Sequence, residues 1–278
     1  MTGELTVLCE NTVTKPSGLI GEHGFAVLLE TSEGAYLFDT GQGQSLLHNA
    51  RLLGKDLRNL KGLILSHGHL DHCGGLARLL SHTGPLTIYA HPGIFTERYW
   101  VGRYEERANG LGSRREELEK EGARFFEVTD FRELVPGFFL SGAIPRHFEW
   151  ETGDPNLMQR NPESGKLVPD PFSDDLSLGI LTPLGLVVVL GCAHAGLMNI
   201  LRHLQLLTGE KHIHAVIGGT HLAPASDEQF AATVEHLRPL AIDRLALSHC
   251  TGLPRGAELA NLFPGRVAFA NVGWTLTF

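Results

Sequence analysis

The chain has 278 residues, 42% of them hydrophobic and 19% charged, which is enough apolar material for a substantial core and too much for a disordered polymer. A net charge of −8 excludes nucleic acid as the main partner, because phosphate binding calls for a basic surface. The longest apolar run, Leu176 to Leu190, is interrupted by Thr182–Gly185 and is too short to span a membrane.

The length suits one large domain over 1–278. The opening MTGELTVLCENT has neither a basic stretch nor an apolar stretch of the signal-peptide kind. Cys9, Cys73, Cys192 and Cys250 lie far apart and form no CxxC pair. Reduced thiols in a cytoplasmic protein are therefore expected.

In chain order, LTVL (5–8), FAVLLE and AYLFDT read as strands, the last two joined by a turn at TSEG. Gln44–Leu53 reads as a helix, Gly62–Ser66 as a buried strand, Gly75–Ser81 as a helix and LTIYAHP as a strand. Arg114–Gly122 reads as a charged helix closed by glycine. The arginine-rich Glu97–Arg107 reads as a solvated or helical surface, with Arg98 or Arg103 as candidate phosphate contacts. From Ile144 to Asp175, five prolines predict a long irregular segment; Phe148, Trp150 and Phe172 make it an expected lid over a site, with Arg146 as another candidate phosphate contact. Then follow a hairpin (LSLGIL, GLVVVLG), a helix (GLMNILRHLQLL), a strand (IHAVIGGT), a helix capped at Ser226 or Asp227, and the strand DRLALSHC. Alternation of strands and helices predicts α/β layering.

Four of these strands run out into histidine: LILSHGH at His67 and His69, VVVLGCAH at His194, AVIGGTH at His221, and LALSH at His249. In layered α/β folds ligands gather at the carboxyl ends of strands, so four such ends converging would build one site. In extended chain residues i and i+2 point the same way, so His67 and His69 can chelate one ion. Asp71 and His72 follow at the turn and can face an adjacent position, with Gly74 and Gly75 permitting the tight turn.

His67-Gly68-His69-Leu70-Asp71-His72 resembles the HxHxDH signature of the metallo-β-lactamase superfamily. LLETSEGAYLFDTGQG resembles its early hairpin, with Asp39 in the usual aspartate position. GEHGFAVLLE, GAIPRHFE, GCAHAGLMNIL, IGGTHL and LSHCTG resemble a narrower branch that includes the dihydropterin–ribofuranosylaminobenzene phosphate synthase of methanopterin biosynthesis. The resemblance implies a four-layer αβ/βα sandwich, two sheets packed face to face with helices outside, and a dinuclear metal site at one edge. One ion would take His67, His69 and His194; the other would take Asp71, His72 and His249. The second half of the chain departs from the pattern: where the superfamily's hydrolases place a bridging aspartate, VLGCAHAG offers Cys192, a thiolate ligand or a small buried thiol, with Asp174 and Asp175 as substitutes. His221 is assigned to catalysis, as a group contacting substrate or orienting a ligand, ahead of a metal ligand or a general acid, and Asp39 to buttressing the metal loops. His23, His91 and His147 are left outside the site.

Neutral histidines with one carboxylate suit two divalent ions, zinc first and iron or manganese next. The expected activity is hydrolysis of a small-molecule ester, amide or phosphoester by a metal-bound hydroxide, with Asp71 orienting it or moving its proton. The alternatives are a transferase like the methanopterin-branch synthase, and a protein that binds metal or ligand without turnover.

Overall fold

The computed structural model describes residues 1–278. Alternation of apolar side chains, which puts successive residues of a strand on opposite faces, sets its layers. Gly185–Leu190 shows how: Val187 and Val189 point into one cluster, while Leu186, Val188 and Leu190 point into another. The first of these clusters is the central one, and it joins Leu5, Val7, Val27, Leu29, Phe38 and Ile64 of one sheet to Phe138, Leu178, Ile180, Ile217 and Ala246 of the other. The outer faces each receive helices: Leu46–Leu52 and Leu76–Thr83 cover the first sheet, and Leu197–Thr208 and Asp227–Leu237 cover the second. Two sheets face to face with helices outside is the expected αβ/βα sandwich. Each fully buried leucine, isoleucine or valine in these clusters contributes about 1.5–3 kcal/mol through burial.

Both sheets have seven strands. The first runs in the order Thr275–Thr277, Gly3–Cys9, Ala26–Thr31, Gly34–Phe38, Leu60–Ile64, Leu86–Ala90, Ala123–Glu127. The second runs Val267–Phe269, Ile242–Ser248, Ile213–Gly219, Gly185–Leu190, Leu178–Thr182, Phe138–Leu140, Arg132–Val135. Gly185–Leu190, Ile213–Gly219 and Ile242–Ser248 are adjacent and parallel. Their carboxyl ends, carrying His194, His221 and His249, therefore lie side by side. Leu60–Ile64, in the other sheet, delivers His67. The sequence-predicted helix cap is Ser226, whose Oγ accepts from Gln229 N–H. No helix is long and apolar enough to cross a membrane.

Two expectations need correction. Glu97–Arg107 is neither a helix nor a plain solvated face: it forms the antiparallel pair Arg98–Val101 and Glu106–Ala108. The segment 144–175 is not wholly irregular, because Leu157–Arg160 and Leu167–Pro169 pair with each other and extend that hairpin into a third, four-stranded sheet. Cross-strand pairing at long sequence separation holds these pieces, and a local pattern does not report it.

Candidate metal centre

His67, His69, His72, His194 and His249 are all buried, and their ring nitrogens face one another. His69 Nδ1 lies 2.9 Å from His67 Nε2 and 3.2 Å from His194 Nε2. A few ångströms on, His72 Nε2 lies 3.3 Å from His249 Nε2 and 3.1 Å from Cys192 Sγ. Asp71 Oδ2 completes the cluster, 3.2 Å from His249 Nε2 and 3.9 Å from His72 Nε2. Cys192 belongs to both halves: its sulfur groups with His67 and His194 on one side and with His72 and His249 on the other. The structure thus brings together all six sequence-predicted ligands and sets Cys192 between them.

A layer of acceptors behind the rings decides which nitrogens are bare. Asp39 Oδ2 accepts both from Ser66 Oγ–H (2.7 Å) and from His72 Nδ1–H (2.7 Å), while its Oδ1 accepts Ser66 N–H. Ser66 Oγ, having given its proton to Asp39, accepts from His67 Nδ1–H at 2.8 Å. His249 Nδ1–H donates to Asn11 Oδ1 (2.9 Å), an oxygen identified as such because it also accepts Gly24 N–H. One buried carboxylate and one amide therefore hold His67, His72 and His249 in the tautomer that leaves Nε2 as a lone pair pointing inward. Asp39 buttresses the metal loops, as the sequence suggests.

Lone pairs 2.9–3.3 Å apart repel unless a proton or a cation lies between them. His69 Nε2 and His194 Nδ1 are in addition buried with no hydrogen-bond partner. Buried polar groups are normally satisfied, so an uncompensated set this dense marks a place where something binds. Imidazole nitrogens, a carboxylate and a thiol are a donor set that suits zinc and its neighbours. The residues fit the cation.

The electrostatics agree. Burial above all, with the neighbouring histidines adding to it, pushes the pKa of His67 and His194 well below the usual histidine value; burial and then Arg98 do so for His69. His249 is lowered to about 4, again chiefly by burial. These rings are neutral at pH 7, as ligands must be. His72 differs: burial pulls its pKa down, but Asp71 and Asp39 prevail and raise it to about 9. Without a cation it is an imidazolium between two carboxylates, and a divalent ion bound there would take the proton's place. Burial also works against ionisation of Asp71, yet the charge on His72 and the N–H of His23 outweigh it and hold the carboxyl well below the usual range.

The remaining candidates fall outside the ligand set. His221 packs against His194 with ring centroids 4.3 Å apart and planes tilted by 53°, beside residues 151–153 of the 144–175 segment. Asp174 and Asp175 do not replace the bridging carboxylate. Asp174 Oδ2 accepts Gly68 N–H (2.9 Å), and Asp175 Oδ2 accepts Ala195 N–H, so each clamps a metal loop through its backbone. Arg98 is not a phosphate contact either: it is buried, giving Nε to Asp170 (2.6 Å) and Nη2 to Asp174 (2.7 Å). Arg146 donates to the carbonyls of His194 and Pro171, both at 2.9 Å. Arg103 sits over Tyr104, out in the turn of the third-sheet hairpin. His23, outside the sequence-predicted site, is the residue the structure adds, with Nε2 3.3 Å from Asp71 Oδ2.

The backbone around the cluster is strained. The non-glycine residues with positive φ are Asp39, Phe172, Ala193, His221 and His249, and every one belongs to the site or touches it. Such conformations cost roughly 1–3 kcal/mol each and persist where the surroundings over-determine them, typically at functional sites. Gly68 matters through close approach instead. A Cβ there would collide with the Ile94 carbonyl oxygen, so only glycine lets the His67–His69 turn lie against its neighbour.

Comparison with known proteins matches this geometry to a family. The model described as the metallo-beta-lactamase superfamily matches residues 19–249. The chain belongs to the metallo-beta-lactamase superfamily. Within it, the 7,8-dihydropterin-6-methyl-4-(beta-D-ribofuranosyl)-aminobenzene-5'-phosphate synthase of Methanocaldococcus jannaschii is 31% identical over 260 residues, covering 90% of this chain and 87% of that one. An uncharacterized protein of the same organism is 28% identical over 264 residues, covering 93% and 94%. The crystal structure of Tm1679, described as a metal-dependent hydrolase of the beta-lactamase superfamily, has a TM-score of 0.85 at 28% identity, covering 99% of this chain and 98% of that one. The superfamily resemblance and its sandwich fold are thereby established.

Proposed function

We propose that the protein is a metal-dependent hydrolase of a small-molecule ester, amide or phosphoester, with two divalent cation positions that zinc suits best. The observation that carries this reading is the convergence of five buried histidine rings around Asp71 and Cys192, three of them, His67, His72 and His249, fixed from behind by an acceptor. His67, His69 and His194 hold the first position; Asp71, His72 and His249 hold the second, with the Cys192 sulfur between them. Bound there, the cations lower the pKa of water and polarise the oxygen of the scissile group.

The protein's own groups supply placement. Asp39 and Ser66 keep His67 and His72 aimed, which limits the reorganisation needed when a ligand arrives. Asp71, whose side chain is 14% exposed while the rings behind it are closed off, is the carboxylate that an attacking water meets first and can be oriented by. His221 contacts the substrate on the opposite side, beside His194. On the His194 side, entry requires movement, since the hollow between His194, His221 and Glu151 is about 10 Å³, room for roughly one water. The segment 144–175 is the lid: Phe172 stacks on His194 with centroids 4.1 Å apart and planes within 7°, and Arg146 ties the same histidine's carbonyl to Pro171.

The second reading is a transferase joining a dihydropterin to a ribofuranosylaminobenzene phosphate, favoured by the 31% identity to the synthase over most of the chain. Hydrolysis comes first because it does not require a phosphorylated substrate, and Arg98, buried between Asp170 and Asp174, is not available to bind one. Metal-loaded protein is expected to turn over at least one member of a panel of esters, lactones, lactams and phosphodiesters. Silence across that panel, together with calorimetric binding of a dihydropterin, would hand the assignment to the transferase.

Cys192 makes a separate prediction. Cobalt-loaded wild-type protein is expected to show a sulfur-to-metal charge-transfer absorption that Cys192→Ser abolishes. Burial holds the thiol's pKa well above its usual value, so only a nearby cation makes it a thiolate. A wild-type spectrum without the band would make Cys192 an ordinary buried thiol.

A further inference from the structure

His23 lies outside the His67–His72 stretch, in the GEHG segment at 21–24, and its side chain is 67% exposed. An exposed histidine is usually mobile. This one is held on both sides. The carboxylate of the preceding residue, Glu22, is buried and accepts four backbone N–H groups: Gln42 (2.6 Å) and Gly43 (3.1 Å) on Oε1, Gln44 (2.7 Å) and Ser45 (2.6 Å) on Oε2. The carbonyl of His23 itself accepts from Gln42 Nε2 (2.7 Å). The following residue, Gly24, gives its N–H to Asn11 Oδ1 and has φ +144°; a Cβ there would collide with the Asp71 carbonyl oxygen. Phe25 N–H then donates to that same Asp71 carbonyl. The stretch 22–25 is thus a brace pressed against Asp71, and glycine is what lets it approach.

The ring is fixed as well. Asn11 Oδ1 is occupied by Gly24 and His249, so the amide presents its Nδ2–H₂ toward His23 Nδ1, at 3.4 Å. Nδ1 is then the acceptor, and the proton sits on Nε2, which faces Asp71 Oδ2 at 3.3 Å. In that tautomer Nε2 has no lone pair for a cation. The same Asp71 oxygen lies 3.2 Å from His249 Nε2, the bare nitrogen of the second position.

From this we infer that His23 is a positioning residue: its Nε2–H holds the Asp71 carboxylate in the orientation that receives the second cation. The inference rests on the two-cation reading above and adds to it a group that works through Asp71 rather than as a ligand. Carboxylates that bind metal are commonly hydrogen-bonded from behind, and losing such a partner costs roughly 10–100-fold in affinity. Here the partner comes from a distant loop and stands on the open side of the site, so the site's rim and its metal affinity are coupled.

Stepwise metal binding tests this, read by elemental stoichiometry and by competition with a chromophoric chelator, on wild type, His23→Ala and His23→Gln. Glutamine places an N–H donor near the Nε2 position and cannot mimic an imidazole ligand. Expected are two cations in the wild type, a second-cation affinity about 10–100-fold weaker in His23→Ala with the first unchanged, and recovery of most of the loss in His23→Gln. Equal second-cation affinity in wild type and His23→Ala overturns the inference. So does a His23→Gln protein as weak as the alanine variant, which would make the imidazole itself the ligand. Unchanged thermal unfolding of the metal-free variants separates these outcomes from misfolding, and a wild type that binds one cation also overturns the inference while leaving the His67–His69–His194 position standing. A wild type that binds none overturns the functional reading instead.

Discussion

Replacing Arg98 by methionine is expected to destabilise the protein by about 3–5 kcal/mol, the range seen when one member of a buried ion pair is removed and its partner is left behind. Arg98, Asp170 and Asp174 form a closed triad, with each of the three side chains at most 2% exposed. For a chain of this size, that loss corresponds to a fall in Tm of roughly 6–20 °C. The deficit has a pH signature. Burial already raises the pKa of Asp174, and Arg98 is the main group opposing it. Without the guanidinium, the folded-state pKa rises further above the unfolded value. A carboxyl raised in the folded state favours folding at low pH and loses that contribution as pH climbs toward the folded pKa. The variant's shortfall is therefore larger at pH 8 than at pH 5. Thermal unfolding at the two pH values checks it, and a variant that melts within a degree or two of wild type at pH 8 would show that the triad carries little. Arg98→Lys is not a rescue, because one ammonium cannot reproduce Nε to Asp170 and Nη2 to Asp174 at once. The effect reaches the candidate metal centre too: Asp174 also accepts Gly68 N–H, so a protonated Asp174 loosens the turn between His67 and His69.

That coupling shows what a sequence reports and what it hides. The four strand ends bearing histidine are legible because each is local: an apolar run, a break, and a ligand within a few residues. Period-two geometry then puts His67 and His69 on one side without any knowledge of the rest of the chain. The sandwich follows from the same alternation together with the family resemblance. Arg98 misleads for the opposite reason. In RYWVGRYEER it looks like one more surface arginine, and its counter-charges lie 72 and 76 residues further on. His23 sits in a segment that resembles the family branch, but nothing local assigns it a role, because its partner is Asp71, across a loop whose shape depends on Glu22 filling a ring of backbone N–H groups. The prolines of 144–175 suggest a structureless stretch, yet its two short strands join Arg98–Val101 through cross-strand contacts that no local pattern encodes. Positive φ at Phe172 and Ala193 leaves no trace in residue type, and at Asp39, His221 and His249 only a weak one, since aspartate and histidine adopt it more readily than most but far less than glycine.

The double substitution His67→Ala/His69→Ala is expected to remove the first cation and to lower any hydrolytic turnover by about 10³-fold or more, the several kcal/mol of charge stabilisation that a bound metal contributes. Its effect on folding separates a site built for a cation from a packed cluster of polar side chains. Deleting two buried rings opens space, which costs stability. It also removes closely set ring nitrogens that need a proton or a cation between them, and the unsatisfied His69 Nε2, which returns some. In the absence of metal these changes oppose each other, and the variant should melt near wild type. Added metal breaks the tie. A ligand that binds only the folded state stabilises it by about 2.7 kcal/mol at one hundred times its Kd, so wild type should gain several degrees on loading. The variant, keeping only the second position, should gain less. Measuring Tm with chelator and with zinc for both proteins therefore yields four values and one contrast. If zinc raises both melting temperatures equally, the His67–His69–His194 group is not where the cation sits, whatever the turnover shows. If the variant instead collapses without metal, the rings hold the loops together by contacts among themselves, and their nitrogens are not the repelling set that a cation would relieve.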